Sequence, residues 1–131
     1  MKIVHYTQED LVPVNAEGAR NTKMRWLIAQ KDGAPNFALR IFEVEPNGHT
    51  PFHIHDWEHE AFVVSGKGTL QTDEGDKPFA EGDAIFVDPG MRHSFKNTGD
   101  ELLKFLCIIP HEQSAPKKSA NPFADESADN C

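Results

Sequence analysis

Seven clusters of turn-forming residues punctuate the chain between positions 31 and 100: KDGAPN, EPNG, SGKG, DEGD, AEGD, DPGM and NTGD. Each supplies Gly, Pro, Asn or Asp where a turn needs a positive or fixed φ. The intervals between them are short and rich in Val, Ile, Phe, Leu and Trp. They read MRWLIA, NFALRIFEVE, EAFVVS, GTLQT, DAIFVD, HSFKN and ELLKFLCIIP, the composition of strands on a half-buried surface. No segment after residue 20 keeps a 3.6-residue apolar period; residues 8–20 have room for one helical turn. Turns spaced by roughly 8–12 residues without helices between them predict an all-β chain, a sandwich or a closed barrel.

The 131 residues suit a single domain with its own core, and 38% hydrophobic with 26% charged residues is a globular composition. A formal net charge of −8, with Lys117-Lys118 the main basic pair, excludes a nucleic-acid partner, because phosphate binding needs a surplus of Lys and Arg on one face. No apolar run approaches the length of a membrane span, so no membrane partner is expected. The start, MKIVHYTQEDLVPV, lacks the apolar stretch and small-residue cleavage site of a signal peptide. A cytoplasmic location follows as the expectation, and with it no disulfide between Cys107, in the apolar run FLCIIP, and the terminal Cys131. Residues 1–34 are read as N-terminal strands of the barrel and as an arm toward a second copy, residues 35–112 as the barrel core. Residues 113–131, rich in Ser, Ala, Pro and Asn, are read as a flexible tail with too little apolar surface to offset its ordering entropy. EAFVVS and ELLKFLCIIP carry apolar residues at both strand parities, which predicts a covered outer face and a homodimer.

The functional signal is HIHDWEHE, residues 53–60. His53 and His55 are two apart and share a face on one strand. His59 lies four further on. Glu60, one beyond, would face the other way on an unbroken strand. His93 follows the turn DPGMR, with Phe95 in phase and Asn97 at the next turn. A solvated hairpin edge is one reading of such a stretch; a set of metal ligands drawn from two distant strands is the other, and a barrel can bring both strands to one interior. Arg40 lies mid-strand in NFALRIFEVE, in phase with Phe42 and Val44. It either points inward, to clamp a substrate carboxylate, or lies on a solvated or interface face. Leu103, Phe105, Cys107 and Ile109 fall on one strand face that either lines the barrel or packs as plain core, with Cys107 as a small hydrophobe. Trp57 is read as packing at a rim or interface. Glu58 and Glu60 are read as surface charges or as acceptors of N–H groups from ligating rings. His5, His49 and His111 have no partner pattern, although His49 stands near the site.

These residues resemble the two motifs of a small single-domain cupin of the Cupin_2 type, a double-stranded β-helix or jelly-roll barrel. The first motif, G-x5-HxH-x3/4-E-x6-G, is matched by His53 and His55, by His59 in the place of the acidic ligand, and by Gly66 after six residues. The second, G-x5-P-x-G-x2-H-x3-N, is matched by Gly82, Gly90, His93 and Asn97. The chain departs from the pattern in three places. Asn47 stands for the opening glycine, Asp88 for the proline (Pro89 is one along), and His59 for the glutamate. A four-residue spacing would make Glu60 the ligand but leaves only five residues before Gly66. The resemblance extends to compact manganese-binding cupins with four histidines. It implies His53, His55, His59 and His93 as metal ligands, and Phe105 and Cys107 at the pocket wall.

Four neutral imidazoles leave a divalent ion at +2, where three and a carboxylate would leave +1, so such a site favours an anionic ligand. Imidazole donors suit Zn, Cu, Fe and Ni by softness, whereas the resemblance implies Mn. The function expected is a metal-dependent oxidoreductase, dioxygenase-like, acting on a small organic molecule with dioxygen at two remaining coordination positions. A metal-dependent isomerase or lyase, or a binding protein without catalysis, is the alternative on the same scaffold.

Overall fold

The computed structural model describes residues 1–111. Its longest strand, β3 (Phe37–His49), organises the fold. Alternate residues of β3, namely Ala38, Arg40, Phe42 and Val44, are buried on one face. They register against β9 (Leu103–Pro110) through Arg40–Cys107, Phe42–Phe105 and Val44–Leu103. On its other edge β9 pairs with β4 (His59–Ser65), placing Ala61 opposite Cys107 and Val63 opposite Phe105. Three strands thus present one continuous inner face.

Strand β2 (Arg20–Ile28) pairs with β3 and carries β1 (Val12–Pro13) on its outer edge. The remaining strands are β5 (Lys67–Thr72), β6 (Gly75–Ala80), β7 (Ala84–Val87) and β8 (His93–Asn97). The order across the sheet is β6-β5-β8-β3-β9-β4-β7, antiparallel throughout. No α-helix occurs among the described residues; two 3₁₀ turns, Tyr6–Gln8 and Gln30–Asp32, are the helical content. None of the helices is long and apolar enough to cross a membrane. The curled sheet closes on an aromatic stack: Phe105 lies 5.2 Å from Phe42 at 5° and 4.5 Å from Phe95 at 16°, centroid to centroid. Offset stacking of this kind adds to the burial energy of the rings.

Several elements differ from the sequence expectation. EPNG is no chain reversal; it lies inside β3. The register between β2 and β3 shifts there, with Arg20 opposite His49 and Thr22 opposite Val44. Asn47 takes φ 67°, the left-handed region that Asn tolerates. A Cβ on Gly48 would stand 2.8 Å from the Arg20 and Glu45 carbonyl oxygens, so the irregularity requires glycine. Strand β6 was missed because GDKPFA is polar and contains Pro78, both tolerable in a strand at the end of the sheet. The helical turn comes at Tyr6–Gln8, overlapping the expected segment 8–20 only at Gln8.

Cys107 is disulfide-bonded, where no disulfide was expected. The tail from 113 onward lies outside the described residues. On the outer face, Phe62 and Val64 of β4, Phe86 of β7 and Ile108 of β9 are exposed, in keeping with apolar residues at both parities.

Candidate metal centre

The centre is built where the segment after β3 meets β8. Thr50 holds β8 close through one backbone and one side-chain bond: Thr50 N–H donates to Phe95 O at 2.9 Å, and Phe95 N–H donates to Thr50 Oγ1 at 2.9 Å. Ser94 Oγ donates to Thr50 O at 2.6 Å. Three residues on, His53 and His93 form a reciprocal bridge, with N···O distances of 3.1 and 2.9 Å. Residues forty apart in sequence are thereby locked side by side. His55 follows in the loop, its carbonyl accepting from Gly90 N–H at 2.7 Å. His59 opens β4 in phase with buried Ala61 and Val63, and is itself fully buried.

The four rings cluster. Centroids are 4.1 Å apart for His53–His55, 5.0 Å for His53–His93, 4.5 Å for His55–His59 and 5.0 Å for His59–His93. Nitrogens of His53, His55 and His93 all lie within 4.8 Å of one another, a spacing that can hold one ion. The Nε2 atoms of His53 and His55 approach to 2.5 Å, so both face the same point. His59 stands beside these three with its ring against His55 and His93. Glu60 faces the opposite side of β4 and is exposed.

The outward nitrogens fix which nitrogen carries the proton and which the lone pair. A carbonyl only accepts, so His53 Nδ1–H donates to Pro51 O at 2.6 Å and His93 Nδ1–H to Met91 O at 2.9 Å. A disulfide sulfur carries no proton, so His59 Nδ1–H donates toward Cys107 Sγ at 3.5 Å. Each of these rings is left with an Nε2 lone pair. His55 is different: its Nδ1 is buried without a hydrogen-bond partner among the described residues, and its ring lies on Trp57, 4.9 Å away at 12°.

The protonation state also fits a metal. Burial, above all, pushes the His53 imidazole down to about 4, with the neighbouring His93 and the Arg40 charge adding to it. Burial pushes His55 down to about 2, reinforced by His53, His93 and Arg40. His59 lies lower still, for the same first reason, with His55 and His93 next. These three imidazoles are therefore neutral at pH 7 without a metal. Converging lone pairs on neutral, buried, pre-oriented rings are the donor set that a first-row divalent ion takes.

The other candidates divide. Arg40 points inward and is fully buried; its Nη2 donates to Cys107 Sγ at 3.3 Å, and its guanidinium lies 5.4 Å from the Trp26 ring and 5.0 Å from Phe42. Cys107, between Arg40 and His59, lines the same interior. Phe105 belongs to the aromatic stack of the core. Glu58 and Glu60 are exposed and hold none of the ligand rings in the bonds described above. That role falls to the Pro51 and Met91 carbonyls, each two residues before its histidine, and to Cys107. A backbone carbonyl leaves no mark in a sequence, although Pro51 two before His53 was a signal in plain view. Of the remaining histidines, His5 caps the first 3₁₀ turn, His49 Nδ1 bonds Thr50 O and His111 Nε2 bonds Ala34 O.

A family model described as the cupin domain, Cupin_2, matches residues 40–109. The chain is a cupin. Among solved structures it is similar to the polyketide cyclase RemF from Streptomyces resistomycificus, with 41% identity and a TM-score of 0.81 over 86% of this chain and 80% of that one. It is 34% identical to an oxalate-binding protein of Thermotoga maritima over 72% of this cupin and 81% of the relative. It is 36% identical to a glucose-6-phosphate isomerase of Thermococcus onnurineus, covering 62% of this chain but 49% of the isomerase. This cupin spans about half the length of several curated relatives that it matches.

Proposed function

We propose that this cupin is a divalent-metal enzyme that binds a small, anionic or enolisable carbonyl compound and promotes its cyclisation or isomerisation. The convergence of the His53, His55 and His93 nitrogens on one point carries the reading, and His59 is the proposed fourth ligand. The ion, of which manganese is the one implied by the four-histidine resemblance, would supply Lewis acidity toward a carbonyl or enolate oxygen. The chain's own residues do the rest. The donor set is uncharged, so the site draws an anionic oxygen. Arg40, buried in the same interior, adds a second positive charge and can hold a carboxylate or enolate in a fixed orientation. The Phe42, Phe95 and Phe105 stack keeps the floor of the barrel apolar, which strengthens both interactions.

The non-oxidative reading is preferred to the oxygenase expected from sequence because of similarity to a polyketide cyclase over most of both chains, together with similarity to an isomerase. Cyclisation and isomerisation need no external oxidant. The deciding experiment incubates metal-loaded protein with a panel of β-diketones and poly-β-ketones under air and under strict anaerobiosis. The reading predicts equal turnover in both, with no oxygen uptake. Turnover that stops without oxygen restores the oxygenase, and tight binding without turnover makes this a binding protein.

A further inference from the structure

We propose that Trp57 is a positioning residue of the metal centre: its indole face sets the plane of the His55 imidazole. The inference rests on the metal-binding reading above. His53 and His93 have their ring planes fixed by Nδ1–H bonds to carbonyl oxygens, and His59 by its contact with Cys107. His55 has no such acceptor among the described residues, and it sits in a loop outside any strand. Rotation about the bond to an imidazole ring is broad unless something restricts it. Apart from the neighbouring histidine rings, what packs flat against His55 is the near-parallel indole, 4.9 Å away at 12°. Trp57 is itself partly buried and packed against the core, which backs the indole on the side away from solvent. Its Nε1–H is buried and has no hydrogen-bond partner among the described residues, so Trp57 contributes its aromatic face and not a donor. The HxHxW spacing thus joins a metal ligand and its support within one short loop.

The test uses Co²⁺ as the probe on the full-length protein, with affinity from competition against a chelator, the visible d–d spectrum, and tryptophan emission. W57A and W57L are expected to weaken Co²⁺ binding about tenfold and to shift the d–d bands. W57F, which keeps an aromatic face, should stay within about threefold of wild type. Co²⁺ should quench the emission strongly in wild type and W26F, and only weakly in W57F. Melting of the metal-free variants reports whether each folds. A W57A protein with wild-type affinity and spectrum, or a W57F protein as impaired as W57A, overturns the proposal while leaving the metal centre intact. A wild-type protein that binds no Co²⁺ removes the metal centre, and this inference with it.

Discussion

Metal-free protein should become unstable in mild acid, and the size of the effect follows from the buried histidines. The ordinary imidazole value is 6.5. Burial lowers His53 to about 4 and His55 to about 2, and lowers His59 further in the same direction. Below pH 6.5 the unfolded chain therefore takes up protons that the folded chain refuses. Stability is complete above 6.5 and falls as the pH drops toward 4, where His53 begins to protonate in place. At pH 5 each of the three contributes a loss of about 2 kcal/mol, or about 6 kcal/mol together. That is comparable to the roughly 5–15 kcal/mol total stability of a domain. Glu9 and Asp32 do not confuse the measurement. Lys2 bonds both and lowers both, so their contribution is present above about 4.5 and 3.8 and is lost only at lower pH. Urea denaturation of chelator-treated protein at pH 7, 6 and 5, followed by circular dichroism, gives the curve. The triple variant H53Q/H55Q/H59Q should flatten it. A wild-type midpoint unchanged between pH 7 and 5, or an equal acid slope in the triple variant, refutes the burial argument.

Other consequences concern ligands, backbone and assembly. H53Q, H55Q or H93Q should cost metal affinity by a factor of about 100 or more, H59Q at least about tenfold, and E60Q nothing measurable in the same chelator competition. Gly48→Ala should destabilise the fold by about 1–3 kcal/mol, read as a lower urea midpoint, because its Cβ meets two carbonyl oxygens at 2.8 Å. The exposed Phe62, Phe86 and Ile108 should support a homodimer in sedimentation at micromolar concentration, with F86E shifting it toward monomer; a wild-type monomer contradicts this.

The strands that place the site were legible because their burial largely alternates, although β3 buries Ile41 as well as Arg40 and Phe42. Leu103, Phe105, Cys107 and Ile109 share a face, as do Arg40, Phe42 and Val44, and apolar periodicity of two is a property of sequence. That His53, His55 and His93 come together was readable from the motif spacing and not from strand parity, since His55 lies in a loop outside any strand. What escaped detection depends on partners distant in the chain. EPNG looked like a reversal because turn residues also serve bulges, and only the Arg20–His49 pairing distinguishes the two. The direction of Arg40 was open because a buried guanidinium and an interface guanidinium give the same residue pattern. Of the two readings of Glu58 and Glu60, the structure fits surface charges, and the carbonyls that hold the His53 and His93 rings, those of Pro51 and Met91, act through backbone that any residue provides.

Untagged, metal-replete crystals examined by anomalous diffraction at the metal edge would be decisive. One ion per chain is expected, with the Nε2 atoms of His53, His55, His59 and His93 at about 2.0–2.3 Å. An ion ligated by Glu60, or any of these four rings turned out to solvent while the metal is bound elsewhere, contradicts it.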